Sequence, residues 1–262
     1  MNDLELALAA ATAGADIVRA RFGAHRVIEQ KGRLDPVTEV DRESEKVIVD
    51  LLNTHRPEDG LLGEEGSSRA STGRRWIIDP LDGTVNFIHG IPQVGVSVAL
   101  YDGLQPLVGV VVDAIRGEVF AATAGGGATR DGQSIAVSDV SDLHRAVVVT
   151  GFPYDHDEYA ASYAATVGAV LTRVNGIRRL GSAALDFCWV ASGRFDGYWE
   201  YSLGPWDCAA GVLIAAEAGA VITDALGNPY SIESRHFVAA NRNLQSRLQR
   251  IVGVALPPHL LD

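Results

Sequence analysis

The sequence predicts a mixed α and β protein, α+β in its first half and α/β in its second. Three observations predict it. Two stretches of helical period open the chain, three β-rich runs punctuated by turn residues follow between positions 94 and 122, and helix and strand patterns alternate beyond about residue 145. Hairpin-linked strands argue for an antiparallel sheet, and alternation argues for a further layer of helices on strands.

Taken in order, apolar residues recur at helical spacing over residues 4–22 (Leu4, Leu8, Ala11, Ala15, Val18), and Gly23 follows as a C-cap. A second helix is predicted over 41–52, with Val47, Ile48, Leu51 and Leu52 on one side and Asp41 as its N-cap. The polar segment 53–73 is interrupted by Leu61 and Leu62, a short strand leading into Gly63-Glu64-Glu65. Residues 75–78 form another short strand with Asp79 at its end. The runs V-G-V-S-V-A-L, L-V-G-V-V-V-D and G-E-V-F-A-A, separated by Asp102-Gly103 and Arg116-Gly117, read as a meander. Further turns at 125–127 and 131–132 precede a strand at 146–150. Helices at 157–171, 182–192 and 207–218 then alternate with strands at 197–200 and 220–223. The change of pattern divides the chain into an N-terminal half, residues 1–145, and a C-terminal half, residues 146–262. No Pro/Ser-rich linker separates them, so the two are expected to pack tightly.

With 33 Asp+Glu against 22 Lys+Arg, the formal charge of -11 disfavours binding to a nucleic-acid backbone, and no basic stripe offsets it. The apolar stretches are broken by charges or glycine well before the roughly 18 residues a membrane helix needs, so no membrane partner is expected. The N-terminal region carries Asp3 and Glu5 rather than a basic secretory start, which predicts a cytoplasmic protein. Cys188 and Cys208 are then expected as buried free thiols. The histidines lack metal-binding spacing, so any metal must be held by oxygen.

Three acidic motifs carry the chemistry. In D-P-L-D-G-T, Asp79 and Asp82 straddle a turn stiffened by Pro80 and tightened by Gly83, a geometry that converges two carboxylates on a hard cation such as magnesium. Gly83 and Thr84 then offer backbone N–H groups to a phosphate at a helix start. The spacing is D-x-x-D, not the D-x-D-G-T of phosphatases that form an aspartyl-phosphate. Each motif also has an ordinary explanation when read alone: an acidic turn for the hexapeptide, a solvated loop for Glu64 and Glu65, a helix N-cap for Asp207. Their combination favours a metal site.

Gly63-Glu64-Glu65, the run W-I-I-D-P-L-D-G-T-V-N-F from Trp76, and P-W-D-C-A-A-G from Pro205 resemble the motifs of the inositol monophosphatase family. The resemblance extends to the segment from Lys31 through Asp35 to Asp41 and to G-S-A-A-L-D-F-C ending at Cys188. It implies a layered α-β-α-β-α sandwich, with an antiparallel sheet in the N-terminal half and a mixed sheet in the C-terminal half. It implies that Glu64, Asp79 and the Leu81 carbonyl hold one magnesium, that Asp79, Asp82 and Asp207 hold a second, and that a third, weaker ion leans on Glu64. Glu64 and Thr84 would orient the attacking water, with Asp82 on the leaving-group side. Ser182, Ala183 and Glu200 would face the substrate, and Lys31, Asp35 and Asp41 would belong to a mobile lid loop. A homodimer and inhibition by lithium are implied as well.

The reaction expected is hydrolysis of a small phosphomonoester by metal-activated water, with no covalent enzyme intermediate. Val85 and the N-F-I-H-G run after the metal motif are nearer the inositol phosphate type than the D-G-T-K of branches acting on histidinol phosphate or adenosine bisphosphates. The expected substrate is therefore a phosphorylated polyol, myo-inositol 1-phosphate, with histidinol phosphate, fructose bisphosphate and nucleotide bisphosphates as alternatives. A regulatory protein of the transcription machinery is the alternative of another class. The intact set of carboxylates ranks catalysis above it.

Overall fold

Asn2 opens the first helix by accepting the N–H of Glu5 while the Glu5 side chain accepts that of Asn2, each at 2.9 Å. In this computed structural model, residues 1–24, 28–30, 36–71, 73–154 and 156–260 are described. Helix α1 (Asp3–Arg21) ends shortly before Gly23, whose φ of 77° continues the chain in the left-handed region. Strands β1 (Ile28–Gln30) and β2 (Pro36–Thr38) form a small antiparallel pair ahead of α2 (Glu39–His55). That helix begins earlier than its periodicity predicts. Its N-cap is Thr38, and Asp41 sits in the first turn, accepting the backbone N–H of Thr38 at 2.9 Å. A threonine and an acid three residues apart satisfy each other's exposed backbone donors, which explains why Thr38, and not Asp41, starts the helix.

The first large sheet comprises β3 (Gly60–Gly63), β4 (Ser68–Arg69), β5 (Arg74–Asp82), β6 (Gly95–Asp102), β7 (Gln105–Asp113), β8 (Val119–Thr123), β9 (Gly127–Arg130) and β10 (Gln133–Ser134). Its spatial order is β10-β9-β8-β7-β6-β5-β3-β4, so the predicted meander is present as antiparallel neighbours. One pair departs from antiparallel: β3 lies parallel to β5. Between β5 and β6 the short helix α3 (Thr84–His89) turns the chain back.

The second sheet has the order β12-β11-β13-β15-β14, built from β11 (Val147–Thr150), β12 (Gly176–Arg178), β13 (Gly197–Tyr201), β14 (Val221–Thr223) and β15 (His236–Ala240). Its first three strands are parallel and β15 runs antiparallel to both its neighbours, so the sheet is mixed. The helices α4 (Ala160–Leu171), α5 (Ala183–Ala191), α6 (Pro205–Glu217) and α7 (Gln245–Val254) complete the chain.

Helices α1 and α2 cover one face of the large sheet, α5 and α6 fill the space between the two sheets, and α4 with α7 cover the outer face of the second. The order of layers is α-β-α-β-α, as the sequence motifs imply. Three cores result, one at each helix–sheet boundary of the two outer layers and one around the central helices. Strands buried on both faces need continuous apolar runs, and V-G-V-V-V in β7 supplies one. Cys188 and Cys208 are buried and free. Among the described residues no helix is long and apolar enough to cross a membrane.

Candidate active site

The parallel pairing of β3 with β5 brings the first motif to the second. Gly63 pairs with Ile78, and the Glu64 N–H donates to the Ile78 carbonyl at 3.2 Å, which seats Glu64 beside the strand position preceding Asp79. The loop that follows is clamped by a residue the motifs do not contain. The buried carboxylate of Glu45, on α2, accepts the N–H groups of Glu65 at 2.8 Å and Ser67 at 2.9 Å.

The predicted turn at Asp79-Pro80-Leu81-Asp82 is in fact the irregular end of β5. Pairing with β6 continues from Asp79↔Ser97 to Asp82↔Gly95 with a register shift between them. A bulge re-aims side chains without ending the strand, and it lets proline, which cannot donate to the ladder, sit there. Asp79 accepts the Leu81 N–H at 3.0 Å. Gly83 then takes φ 97°, and a Cβ there would lie 2.8 Å from the Gln93 carbonyl, so glycine is required on both counts. Thr84 starts α3, and its hydroxyl stands 3.2 Å from the Leu81 carbonyl and 3.1 Å from Asp41 Oδ1.

Asp41 is therefore neither N-cap nor loop residue. It is 1% exposed, its carboxylate is shared between Thr38 and Thr84, and burial pushes its pKa up. Lys31 and Asp35, expected with it in the lid, lie outside the described residues.

Asp82 reaches across to the second half of the chain. It accepts the Ser182 hydroxyl at 2.6 Å and the N–H groups of Ala183 at 3.1 Å and Ala184 at 2.8 Å, so it caps α5 from a distant strand. Ser182 and Ala183 line the same cavity as Asp82. Asp207 is not the start of α6. Gly204 is the N-cap, Pro205 occupies the first turn where a missing N–H does no harm, and Asp207 Oδ2 accepts the Gly204 N–H at 2.6 Å.

The result is a cluster in which Asp79, Asp82 and Asp207 each place a carboxylate oxygen within 4.8 Å of the others. Among the described residues no lysine or arginine is ion-paired with any of the three. Burial, with the added charge of Glu64, holds the Asp79 and Asp207 carboxyls well above the usual range. Burial also raises Asp82 to about 6, against the opposing bonds from Ser182 and the α5 backbone. Like charges buried this close protonate, or they bind a cation. The donors are all oxygen, which fits a hard divalent ion and excludes a thiolate or imidazole site.

Over the cluster lies a cavity of about 520 Å³, lined on its acidic side by Glu64, Asp82, Thr84, Glu200 and Asp207. Glu200 leaves β13 toward this space, accepts the Tyr198 hydroxyl, and is raised by burial to about 7. Phe152, Leu203 and Trp206 give the cavity apolar walls.

The sequence and the fold have counterparts. The inositol monophosphatase family model matches residues 2–254. The chain is 40% identical over 247 residues to the Nus factor SuhB of Vibrio cholerae, covering 93% of this chain and 92% of that relative. It is 40% identical over 232 residues to the inositol-1-monophosphatase of Rhizobium meliloti, covering 88% and 87%. The solved structure of a Thermotoga maritima IMPase superposes with a TM-score of 0.90 at 32% identity over 98% of each chain. With its layers and nearly its whole length accounted for in this way, the chain belongs to the inositol monophosphatase family and is a phosphatase of that family.

Proposed function

We propose that the protein hydrolyses a small phosphorylated polyol, myo-inositol 1-phosphate foremost, with magnesium as the metal. The observation that carries this reading is the cluster of Asp79, Asp82 and Asp207, with no lysine or arginine ion-paired to it among the described residues, beside a cavity that Asp82, Asp207 and Glu200 line. Glu64, Asp79 and the Leu81 carbonyl would hold one ion, and Asp79, Asp82 and Asp207 a second. When bound, magnesium supplies a water of lowered pKa and neutralises charge on the phosphate and the departing oxygen.

The chain's own groups do the rest. The Thr84 hydroxyl, set between Asp41 and the Leu81 carbonyl, is placed to orient the attacking water together with Glu64, and Asp41 is the acceptor at the end of that chain. The N–H groups of Gly83 and Thr84 donate to a phosphate oxygen. Glu200 accepts a hydroxyl of the leaving alcohol, while the Tyr198 hydroxyl bonded to it fixes its orientation. The apolar wall limits water around the reacting phosphate.

Phosphate release from a panel of monoesters, with and without magnesium, tests the reading. Inositol 1-phosphate is expected to be turned over only with the metal. Histidinol phosphate cleaved orders of magnitude faster would move the substrate assignment and leave the chemistry standing. A second reading, binding to transcription machinery, draws on the relative named Nus factor SuhB. The complete carboxylate set favours catalysis as the primary role, since a purely binding surface has no use for three carboxylates converged in this way.

A further inference from the structure

Glu200 reaches the cavity from β13, and what lies beside it on the neighbouring strand decides where its carboxylate can go. Strands β11 and β13 run parallel, with Val149 opposite Tyr198 and Thr150 opposite Trp199, so the chain leaves β11 through Gly151 alongside Glu200. Side chains alternate between the two faces of a strand. Val149 and Tyr198 belong to the core around the central helices, Val148 and Trp199 to the outer one, so a side chain at 151 would share the face that Glu200 uses. A Cβ on Gly151 would fall among the Glu200 carboxyl atoms, inside van der Waals contact with Oε1, Cδ and Oε2.

Gly151 is not among the glycines of positive φ, so no left-handed backbone calls for glycine there. Space does. Among the described residues one other glycine, Gly63, has a carboxylate that close to its Cβ position, and there Glu45 gives both oxygens to backbone N–H groups, those of Glu65 and Ser67. Glu200 differs. Its Oε2 accepts the Tyr198 hydroxyl, while Oε1 takes no hydrogen bond among the described residues and is not sealed from solvent. The Glu45 carboxylate is used up in holding a loop, whereas that of Glu200 is held at one oxygen and free to accept at the other.

We infer that Gly151 is a specificity-determining residue: by carrying no side chain it gives the Glu200 carboxylate the one place where Tyr198 holds Oε2 and Oε1 stays open to a hydroxyl of the leaving alcohol. Gly151 touches no substrate and acts as a positioning residue through Glu200. This rests on the phosphatase reading above, in which Glu200 accepts that hydroxyl. A methyl group at 151 takes the carboxylate's space, so the carboxylate moves off Tyr198 and the acceptor is misplaced. A fixed acceptor is what lets a site distinguish a polyol from an alcohol with no further hydroxyl.

The test is a double-mutant cycle in the magnesium-loaded enzyme with Gly151→Ala, Glu200→Ala and the two combined. The substrates are myo-inositol 1-phosphate and phenyl phosphate, which has no further hydroxyl. Gly151→Ala is expected to lower the ratio of kcat/KM between the two esters by about ten- to hundredfold, the loss of a hydrogen bond to a carboxylate, with KM for inositol 1-phosphate changing more than kcat. Glu200→Ala lowers the ratio to a similar level, and adding Gly151→Ala to it lowers the ratio no further, because the methyl group then meets no carboxylate. Thermal unfolding follows the same cycle and serves even where Gly151→Ala folds poorly: the substitution lowers the melting temperature in the wild type and much less in the Glu200→Ala background. A ratio that Gly151→Ala leaves in place, or lowers equally with and without Glu200, overturns the inference alone, as does an equal loss of melting temperature in both backgrounds. A ratio that Glu200→Ala leaves in place overturns the acceptor role of Glu200 and the inference with it. A wild type that releases phosphate from neither ester overturns the phosphatase reading as a whole.

Discussion

Asp82 accepts three hydrogen bonds from the start of α5 while facing Asp79 and Asp207, so its charge is wanted by the helix and resisted by its neighbours. Asp82→Asn keeps the size but removes a cation ligand, and magnesium-dependent turnover is expected to fall by at least about 100-fold, as for groups that stabilise developing charge. The sign of the pH dependence follows from burial. Asp82 rises from 3.8 to about 6 and Glu200 from 4.5 to about 7, so each favours the folded state in its protonated form. That contribution is whole below the unfolded values and is lost as pH rises through the folded ones. The metal-free protein is therefore expected to melt at a lower temperature at about pH 8 than at about pH 5, with magnesium reversing the loss at the higher pH, in a thermal scan. The acids of the triad were legible in the sequence because each sits in a short local motif. The tie from Thr84 to Asp41 was not, because it joins two helices 43 positions apart and Asp41 alone reads as an ordinary N-cap.

Helix α2 shows how an element carries the site. Its cap, Thr38, bonds the very carboxylate that meets Thr84, so the start of the helix and the water-side chain are one structure. Thr38→Ala is expected to destabilise by about 1 kcal/mol, read as a shift in urea midpoint, and also to lower kcat by loosening Asp41. Loss of stability with kcat intact would separate the two roles and contradict their union. The meander was legible because β6, β7 and β8 are joined by short turns. The parallel partnership of β3 and β5 was not, because a parallel pair is joined by a longer connection and its register leaves no local mark. The strand character of Pro80 was hidden for a related reason: proline close to glycine reads as a turn, and only pairing with β6 shows a bulge.

The whole molecule is organised around its central helices. Helix α6 lies so close to β7 that a Cβ on Gly109 would stand 2.8 Å from the Ala210 carbonyl, a backbone atom that has nowhere to go. Gly109→Ala is expected to destabilise by about 1–3 kcal/mol through overpacking, measured by equilibrium unfolding. The large sheet's inner face, with Ile77, Val111 and Phe120, is buried by α5 and α6 from the C-terminal half of the chain. The alternation of helices and strands revealed that a second layer exists, but which sheet its helices would cover depends on contacts between positions far apart in sequence, such as that between Asp82 and Ala184. The most direct test of the central claim is the initial rate of phosphate release from myo-inositol 1-phosphate, measured against magnesium concentration for the wild type and Asp82→Asn. Saturable, magnesium-dependent turnover that the substitution abolishes is the predicted result. Turnover independent of the metal, or retained in Asp82→Asn, would contradict it.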